Sequence, residues 1–421
     1  MPYPKEELLH HIWQYRLFDQ SNLKTTHGEP VTVLKPGSVN TDAGPDFTAA
    51  RLKIGEAEWS RNVEIHVRAS DWLKHRHQEN PDYSNIILHV VFEDDLNESL
   101  GAFSTLLLKP HVSDQILLRY EQLITRNEGL ACGYQFLDVP TPILTSWIDS
   151  LLVERLKRKS EAIQLVIEKT DGDLEQAFQA ILFRAFGMKV NAEPFQQLGE
   201  SLHWKVLAKY QDNLLQLEAL LFGVAGFLEK PVDSYHENLK SEFDFLRAKH
   251  GLEALKGFSF KFARMHPSNF PTIRIAQLAA MFLQTGQFLR WFSAKQATDL
   301  LDQLLISPSI YWQSHLNFGK PSSTHGNRIG STMARNVIIN VLVPFLFVQA
   351  DRESKPELQE KALETLENLK PESNAKTRKF KDVGFSCTSA YESQGLIELY
   401  SNYCEHKKCL SCSVGANILK R

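Results

Sequence analysis

Residues 40–66 constrain the fold of this chain more than any other part of its sequence, because their pattern predicts a β-hairpin with a fixed register. Residues 47–54 and 58–66 both have a strand-like pattern, and the three residues between them include Gly55, which favours a tight turn. A three-residue connection places residue 54 opposite residue 58, and every other pair along the hairpin follows from that one.

This register brings three reactive side chains to one face of the predicted hairpin. Residue 46 lies opposite residue 66, and strand side chains alternate between faces, so Asp46, Glu64 and His66 share a face. A two-residue connection would move Asp46 to the other face. Two carboxylates beside an imidazole are typical of a metal-dependent active site, so these three are our candidate catalytic residues. The ordinary alternative is a turn-capping Asp46 and a solvent-facing Glu64.

The elements around the hairpin complete a small α/β module, which we place at residues 1–112. Residues 5–18 have the apolar spacing of an amphipathic helix, and residues 31–34 form a short β-branched strand. A helix is predicted to start near Ser70, and the apolar run at residues 86–92 fits a strand buried on both faces. The predicted order is helix, three strands, helix and strand.

The rest of the chain has a helical pattern, so the predicted fold class is α+β. Long helical segments begin at about residue 113, and we predict a mainly helical region at residues 113–383. Residues 384–421 follow as a C-terminal helix and a cysteine-rich, metal-binding tail. A chain of 421 residues has room for two or three domains, which agrees with this division.

Composition and hydropathy narrow the functional classes. The formal net charge of -3 shows no basic excess, so a surface for DNA or RNA must be local. No apolar run approaches the ~18 residues of a membrane span, and the best candidate, residues 337–348, is interrupted by Asn340 and Pro344. The N-terminal residues lack the apolar segment of a signal peptide. We therefore expect a cytoplasmic protein that does not contact a membrane.

The five cysteines predict a second metal site rather than a disulfide framework. Cys404, Cys409 and Cys412 lie within the last 18 residues, at a spacing that suits zinc or an iron–sulfur cluster. The candidates for the fourth ligand are Cys387, Cys132 and His406. We expect Cys387 if the chain folds back locally, and Cys132 if the tail reaches the segment after the α/β module. The ordinary alternative is a set of unlinked buried thiols.

Four histidines offer an alternative cluster for a transition metal, namely His66, His75, His77 and His89. His75 and His77 are two positions apart, however, and on the predicted helix such residues point in different directions. His89 lies inside a predicted buried strand, where a histidine is usually hydrogen-bonded in the core. We therefore favour the carboxylate site.

Two other features have mainly structural interpretations. Residues 326–332 open a predicted helix and could bind phosphate through free backbone N–H groups, but they lack the lysine of a P-loop. We interpret this segment as a flexible loop and helix N-cap. Arg274, which follows the break at Pro271, is also interpreted as a structural residue.

The dipeptide Pro45-Asp46, the tripeptide of residues 64–66 and the predicted element order resemble the PD-(D/E)XK nuclease-like superfamily over about residues 5–95. The core of that superfamily is a mixed sheet flanked by helices, and its second and third strands bring two acids together on a divalent metal. The resemblance implies that Asp46 and Glu64 bind Mg²⁺ or Mn²⁺ and that the substrate is DNA or RNA.

The sequence departs from the pattern of the superfamily at one position, and one further acid of that pattern has two candidates. His66 stands where the superfamily usually has lysine, and a neutral imidazole can accept a proton but supplies no fixed positive charge. Many members carry a further acid on the first helix, and both Glu6 and Glu7 are candidates for it.

The chain as a whole is similar to a family of uncharacterised bacterial proteins catalogued as a domain of unknown function. The similarity lies in GPDF at residues 44–47, VEIH at residues 63–66, LHVV at residues 88–91 and the C-terminal cysteine run. This second resemblance implies no established activity.

These observations favour a metal-dependent nuclease, or a degenerate relative of nucleases that binds nucleic acid. Two alternatives belong to other classes of protein. The first is a non-catalytic scaffold or interaction protein, in which the helical region forms the working surface. The second is a metallo-hydrolase that acts on small phosphate esters through the histidines.

Overall fold

The computed structural model describes residues 4–96, 100–126, 129–293, 296–323 and 327–421. The chain divides into two compact units. The first unit comprises Met1–Trp147, Arg378–Phe385 and Leu399–Arg421, and the second comprises Ile148–Thr377 and Ser386–Glu398. The fold is α+β, as the sequence predicts, with the main sheet in the N-terminal part and helices after it.

The first unit is built on a mixed sheet. In chain order its first elements are α1 (Glu6–Gln14), β1 (Val31–Lys35), β2 (Ser38–Val39), β3 (Phe47–Ile54), β4 (Ala57–Arg68), α2 (Asp71–Lys74), β5 (Ile86–Glu93), β6 (Ser104–Leu107) and α3 (Asp114–Thr125). The sheet order is β1-β3-β4-β5-β6, and β2 also pairs with β3. Strand β3 is antiparallel to its neighbours, whereas β4, β5 and β6 run parallel.

Burial of apolar side chains explains why these elements form. Helix α1 packs against β4 and buries the apolar residues that the sequence pattern placed on one face. The first seven residues of β5 are buried, which confirms the strand that the apolar run at residues 86–92 predicts.

The hairpin turn is shorter than the sequence predicts. Ile54 pairs with Ala57, so two residues form the turn instead of three. Type I′ and related two-residue turns match the twist of paired strands, which favours the shorter connection. By itself this register would place Asp46 on the opposite face from Glu64.

A β-bulge in β3 returns Asp46 to the same face of the sheet as Glu64. One extra residue is accommodated after Phe47, at a point where Ala49 has a left-handed φ of 52°. Beyond the bulge Phe47 pairs with Val63, so Asp46 comes next to Glu64 on the same face. The predicted pairing of residue 46 with residue 66 is therefore wrong by two positions, although the shared face is present.

The remaining elements are almost all helices. They are α4 (Thr141–Lys169), α5 (Leu174–Phe186), α6 (Ala192–Ser201), α7 (Trp204–Ala208), α8 (Leu214–Val224), α9 (Ser234–His250), α10 (Pro271–Thr285), α11 (Phe288–Ser293), α12 (Ala297–Gln303), α13 (Ile310–Ser314), β7 (His315–Asn317), β8 (Lys320–Pro321), α14 (Ser331–Val337), α15 (Val343–Glu353), α16 (Pro356–Asn368), α17 (Ala375–Asp382), α18 (Ala390–Glu398) and α19 (Ser413–Lys420). Asp173 is the N-cap of α5, because its side chain accepts from the Gln176 N–H at 3.0 Å.

The core of the second unit lies between pairs of these helices. Helices α5 and α6, α8 and α9, α8 and α10, and α15 and α16 pack against each other. From Leu217 onward α8 is buried on every side, and so is α10 as far as Phe282. An all-round apolar helix is stable only when neighbours cover all of its faces, and these two helices form the centre of the unit.

The helix from Ser331 to Glu353 is the one described helix that is long and apolar enough to cross a membrane, and two-thirds of its apolar window is buried within the protein. Pro344 does not end this helix, which continues to Glu353. A π-helical segment, Ile338–Leu342, precedes the proline, and Pro344 then lies in the first turn of α15, where a missing N–H costs little.

The C-terminal tail belongs to the first unit. Helix α19 packs against α3, and the short 3₁₀ turn Cys409–Ser411 packs against α1. The Lys407 ammonium donates a hydrogen bond to the Ile124 carbonyl at 2.6 Å. The units therefore differ from the predicted domains 1–112, 113–383 and 384–421, because long-range packing and not chain order defines them.

Candidate metal-binding site

Two carboxylates form the centre of the candidate site in the first unit. The Asp46 backbone N–H donates to Glu64 Oε2 at 3.0 Å, and the Ile65 backbone N–H donates to Asp46 Oδ2 at 2.9 Å. This reciprocal pair of bonds crosses from the start of β3 to β4 and fixes both carboxyl groups side by side. Glu64 is buried, whereas Asp46 is partly exposed.

Imidazole nitrogens surround the carboxylates. His77 Nε2 lies 3.3 Å and His66 Nε2 lies 3.7 Å from Glu64 Oε1. His10 Nε2 lies 3.2 Å from Asp46 Oδ2. The site therefore contains the three predicted residues and, in addition, histidines from α1 and from the segment after α2.

Sequence reasoning missed His10, although a signal for it was present. Glu6 and His10 are four positions apart on α1, so they share a helix face, and that face is directed toward Asp46. Burial and then the Asp46 charge raise the pKa of Glu6, which places Glu6 rather than the exposed Glu7 beside the site.

His75 and His77 come together because the helix that carries them is shorter than predicted. Helix α2 ends at Lys74, and Arg76 has a left-handed φ of 56°. That reversal turns both rings toward β4, and the ligand nitrogens of His66, His75 and His77 all lie within 4.8 Å of one another. The expectation that these two histidines point apart is therefore wrong.

A chain of hydrogen bonds links three of the imidazoles. His66 Nδ1 is 2.8 Å from His89 Nε2, and His66 Nε2 is 3.1 Å from His75 Nδ1. Burial, followed by the neighbouring imidazoles, lowers the pKa of His66 to about 2, and burial also lowers the pKa of His89 to about 4. Both rings are neutral at pH 7, and His89 is the hydrogen-bonded core histidine that the sequence predicts.

Several buried nitrogens of the site have no hydrogen-bond partner among the described residues. They are His10 Nε2, His77 Nε2 and His89 Nδ1. The first two approach a carboxylate oxygen closely without the angles of a hydrogen bond. Buried polar atoms are seldom left without a partner, and nitrogens and carboxylates that converge in this way fit the ligands of a common cation.

The charge of the site supports the same interpretation. Burial, followed by the charge of the nearby Asp46, raises the pKa of Glu64 to about 8, and a cation bound at the site would favour the ionised carboxylate. Carboxylate oxygens suit Mg²⁺, whereas a mixture of oxygen and imidazole nitrogen suits Mn²⁺ and later transition metals. The donor set therefore fits Mn²⁺ better than Mg²⁺.

Aromatic side chains cover one side of the imidazoles. Tyr83 stacks on His77 with ring centroids 3.9 Å apart, and its hydroxyl donates to the Gly44 carbonyl at 3.2 Å. The buried Trp72 lies edge-on to His77 and contacts His89. These contacts restrict the rotation of the rings and keep the ligand atoms oriented.

The cysteines form a second group in the first unit. Cys132, Cys404, Cys409 and Cys412 line one small pocket. Burial raises the pKa of the Cys132 thiol to about 12 and of the Cys409 thiol to about 11, and neighbouring cysteines add to both shifts. Cys387 lies in the second unit, where Glu392 is the charged group that contributes most to its raised pKa. Cys132 thus completes the group of four, while His406 is exposed.

Residues 6–375 of the chain match the model of a protein family whose description is that of a protein of unknown function. Comparisons with curated proteins and with solved structures found no match. The matched segment contains all the histidines and carboxylates of the candidate site, and it contains Cys132. The other three clustered cysteines follow its last residue.

Proposed function

The chain belongs to the DUF2851 family, and for this member we propose a metal-dependent nuclease whose metal site is built on Asp46 and Glu64. The observation that carries the proposal is that backbone N–H groups of Asp46 and Ile65 hold the Glu64 and Asp46 carboxylates. Two imidazole nitrogens without a hydrogen-bond partner among the described residues lie 3.2 and 3.3 Å from the carboxylate oxygens. Such a set of donors suits one divalent cation, Mn²⁺ or Mg²⁺.

Each residue has a separate role in this proposal. Asp46 and Glu64 hold the cation together with His77 or His10, and Tyr83 keeps the His77 ring in place. A divalent cation bound there lowers the pKa of a water molecule and offsets the charge of a phosphodiester. His66 is neutral and hydrogen-bonded to His89 and to the exposed His75, and its low pKa makes it a weak base, so its role in this proposal is to position the His75 ring.

The topology of the site supports a proposal for the substrate class. An antiparallel meander of β1, β3 and β4 leads to a parallel β5, with one acid directly before β3 and the other on β4, and this arrangement is similar to that of the PD-(D/E)XK superfamily that the sequence resembles. We therefore propose DNA or RNA as the partner, bound at a local surface and in the cytoplasm. The net charge of -3 agrees with a local rather than a chain-wide contact.

The test is cleavage of DNA and RNA, single-stranded and duplex, by the full-length protein with Mn²⁺ or Mg²⁺. Asp46→Asn and Glu64→Gln keep the shape of each side chain, and we expect both to reduce cleavage to background and to abolish Mn²⁺ binding. Glu58→Gln is the matched control, since Glu58 is an exposed acid on the same strand that pairs with Arg51. Cleavage that survives Glu64→Gln, or no cleavage with any divalent ion, would contradict the proposal.

The histidine triad favours a second candidate, a hydrolase of small phosphate esters. Three imidazoles within 4.8 Å suit Zn²⁺ or another late transition metal. Assays with p-nitrophenyl phosphate and with bis(p-nitrophenyl) phosphate separate the two candidates. Turnover of the monoester that depends on His75 and His77, without nucleic-acid cleavage, would favour this second function.

We also propose that Cys132, Cys404, Cys409 and Cys412 hold a zinc ion or an iron–sulfur cluster. A tetrahedral zinc site with Zn–S bonds of about 2.3 Å needs sulfur atoms about 3.8 Å apart. The larger core of an iron–sulfur cluster needs sulfur atoms that lie farther apart.

Anaerobic purification distinguishes the two metals. An iron–sulfur cluster gives a brown protein with visible absorbance and iron on elemental analysis, and we expect Cys132→Ser to lose the bound metal. Cys387→Ser is the matched control and should keep the metal. A colourless protein that contains zinc would identify a zinc site, whereas neither metal, with all four thiols freely titrating, would refute the metal centre.

A further inference from the structure

A pocket of about 560 Å³ lies within the second unit, and none of its lining residues belongs to the two candidate metal sites. Its wall includes α10, the segment before α14, α14 itself and the segment between α16 and α17. Four cationic side chains line it, Arg274, Arg328, Arg335 and Lys370. Small-molecule sites have volumes of roughly 300–1,000 Å³, so the pocket is large enough for a metabolite-sized ligand.

Arg274 is the unusual member of this group, because it is 6% exposed and forms no ion pair with any described carboxylate. Its Nη1 donates to Gln277 Oε1 at 2.8 Å and its Nη2 to Asn269 Oδ1 at 2.6 Å, and both acceptors are neutral amides. Its Nε is buried and has no hydrogen-bond partner among the described residues. Burial lowers the pKa of Arg274 to about 10, so the guanidinium remains charged at neutral pH.

A buried charge without a counterion is costly, and proteins usually pair such a group or give it a ligand. The sequence interpretation of Arg274 as purely structural does not account for the free Nε. Its neighbour Gln277 does have a structural role, since Gln277 Nε2 donates to the Asn327 carbonyl at 2.7 Å. That bond orders the loop before α14, which carries Arg328 into the wall. Gly326, the first residue of the loop, lies outside the described residues.

The pocket as a whole is positive. Glu372 is the one acid among its described lining residues, and both of its oxygens are already engaged. Oε1 accepts from Asn374 Nδ2 at 3.0 Å and Oε2 accepts from Gln394 Nε2 at 2.8 Å. Arg328 and Lys370 are exposed and Arg335 is half-buried, so water and ligands reach the three outer cations.

We propose that this pocket binds the phosphate group of a small molecule, with Arg274 at its base and Arg328, Arg335 and Lys370 around its opening. The planar guanidinium has a free Nε–H, and guanidinium groups bind phosphate oxygens through paired, charge-assisted hydrogen bonds. Ser268, Thr332 and Asn336 also line the pocket and offer neutral donors to the same oxygens. This proposal does not depend on the nuclease, because the residues are separate.

The experiment is calorimetric titration of the full-length protein with inorganic phosphate, with adenosine 5′-monophosphate and with adenosine. EDTA is present, so a metal at the Asp46–Glu64 site cannot supply the binding. We expect one site for each phosphate-bearing probe and none for adenosine. Equal affinity for the first two probes would identify the phosphate group as the whole ligand, whereas tighter binding of the nucleotide would extend the site to the attached group.

Variants locate the binding within the molecule. Arg328→Gln and Arg335→Gln should each weaken phosphate binding by about tenfold, the usual effect of removing one charge-assisted hydrogen bond. Arg274→Gln should abolish binding, and if that variant does not fold, the double variant of Arg328 and Arg335 decides. Arg247→Gln, an exposed position on α9, is the control and should bind normally. Unchanged binding in the double variant, or no binding to the unmodified protein, would overturn the proposal.

Discussion

His66 shows how the surroundings of one residue decide what it can do. A lysine at this position would carry a fixed charge, whereas the imidazole is neutral because it is buried and bonded to two other imidazoles. It is therefore a weak base, and it cannot stabilise a phosphate by charge. In the proposed nuclease that charge must come from the cation alone, so catalysis depends more strongly on the metal than it would with a lysine.

Glu218, a residue of the second unit, leads to a prediction about how the stability of that unit depends on pH. It is 1% exposed on α8, its Oε2 accepts from the Tyr235 hydroxyl, and its Oε1 has no partner among the described residues. Burial raises the pKa of Glu218 to about 7, against an ordinary value of 4.5. The folded state thus keeps a proton that the unfolded state loses, so this contribution to stability is complete below about pH 4.5 and is lost as the pH rises through about 7.

We expect the contribution of Glu218 to the free energy of unfolding to fall by roughly 3 kcal/mol as the pH rises from about 4.5 to about 7, because its pKa is about 7 in the folded state and 4.5 in the unfolded state. Glu218→Gln should remove this pH dependence. The stability of the variant minus that of the unmodified protein should therefore be larger at pH 8 than at pH 5. Urea unfolding of the second unit at both values measures the difference. Glu237→Gln, at an exposed site on α9, is the control, and an identical pH profile for Glu218→Gln and the unmodified protein would refute the prediction.

At the scale of elements, regular patterns predict well and local irregularities do not. The alternation in residues 47–66 gives both strands of the hairpin to within two or three residues of their observed ends. The bulge that sets the face of Asp46 leaves no such signal, because a bulge residue with positive φ is usually glycine and here it is Ala49. The early end of α2 is equally difficult to predict, because arginine seldom adopts the left-handed conformation that Arg76 has here.

The bulge can be tested through Ala49. Glycine tolerates a φ of 52°, whereas a β-branched residue is strained there. We expect Ala49→Gly to stabilise the first unit by about 1 kcal/mol and Ala49→Val to destabilise it by about 1 to 2 kcal/mol. Thermal unfolding measures both, and Thr48→Val, at the neighbouring residue with ordinary φ, is the control. Equal stability of the glycine and valine variants would mean that the bulge does not have this conformation.

At the scale of the whole molecule, no local pattern shows which distant segments pack together. The sequence predicts helices in the second half of the chain but assigns the tail to a domain of its own, and it leaves Cys132 and Cys387 as equal candidates. The structure joins Leu399–Arg421 to the sheet-containing unit, and with it three of the clustered cysteines. Those contacts depend on surfaces of α1 and α3 that form only after folding.

This arrangement predicts that α19 stabilises the first unit. Leu419 is fully buried, and replacing a buried leucine by alanine usually costs about 2 to 5 kcal/mol. We expect Leu419→Ala to lower the free energy of unfolding of the first unit by that amount and to increase hydrogen exchange in α1 and α3. Leu118→Ala, at a residue of α3 that is 45% exposed, is the control. Normal exchange in α1 and α3 of the Leu419 variant would show that the tail is dispensable.

The division of the first unit into separate chain segments also matters while the protein is being synthesised. A ribosome makes the sheet early, then Ile148–Thr377, and only afterwards residues 399–421. Domains usually fold as they emerge, but this one lacks α19 and three of its cysteines until then. Until then, the surface of α3 that α19 covers in the folded protein stays exposed on the nascent chain. A chain that terminates within the helical region would never complete the unit that holds the carboxylates.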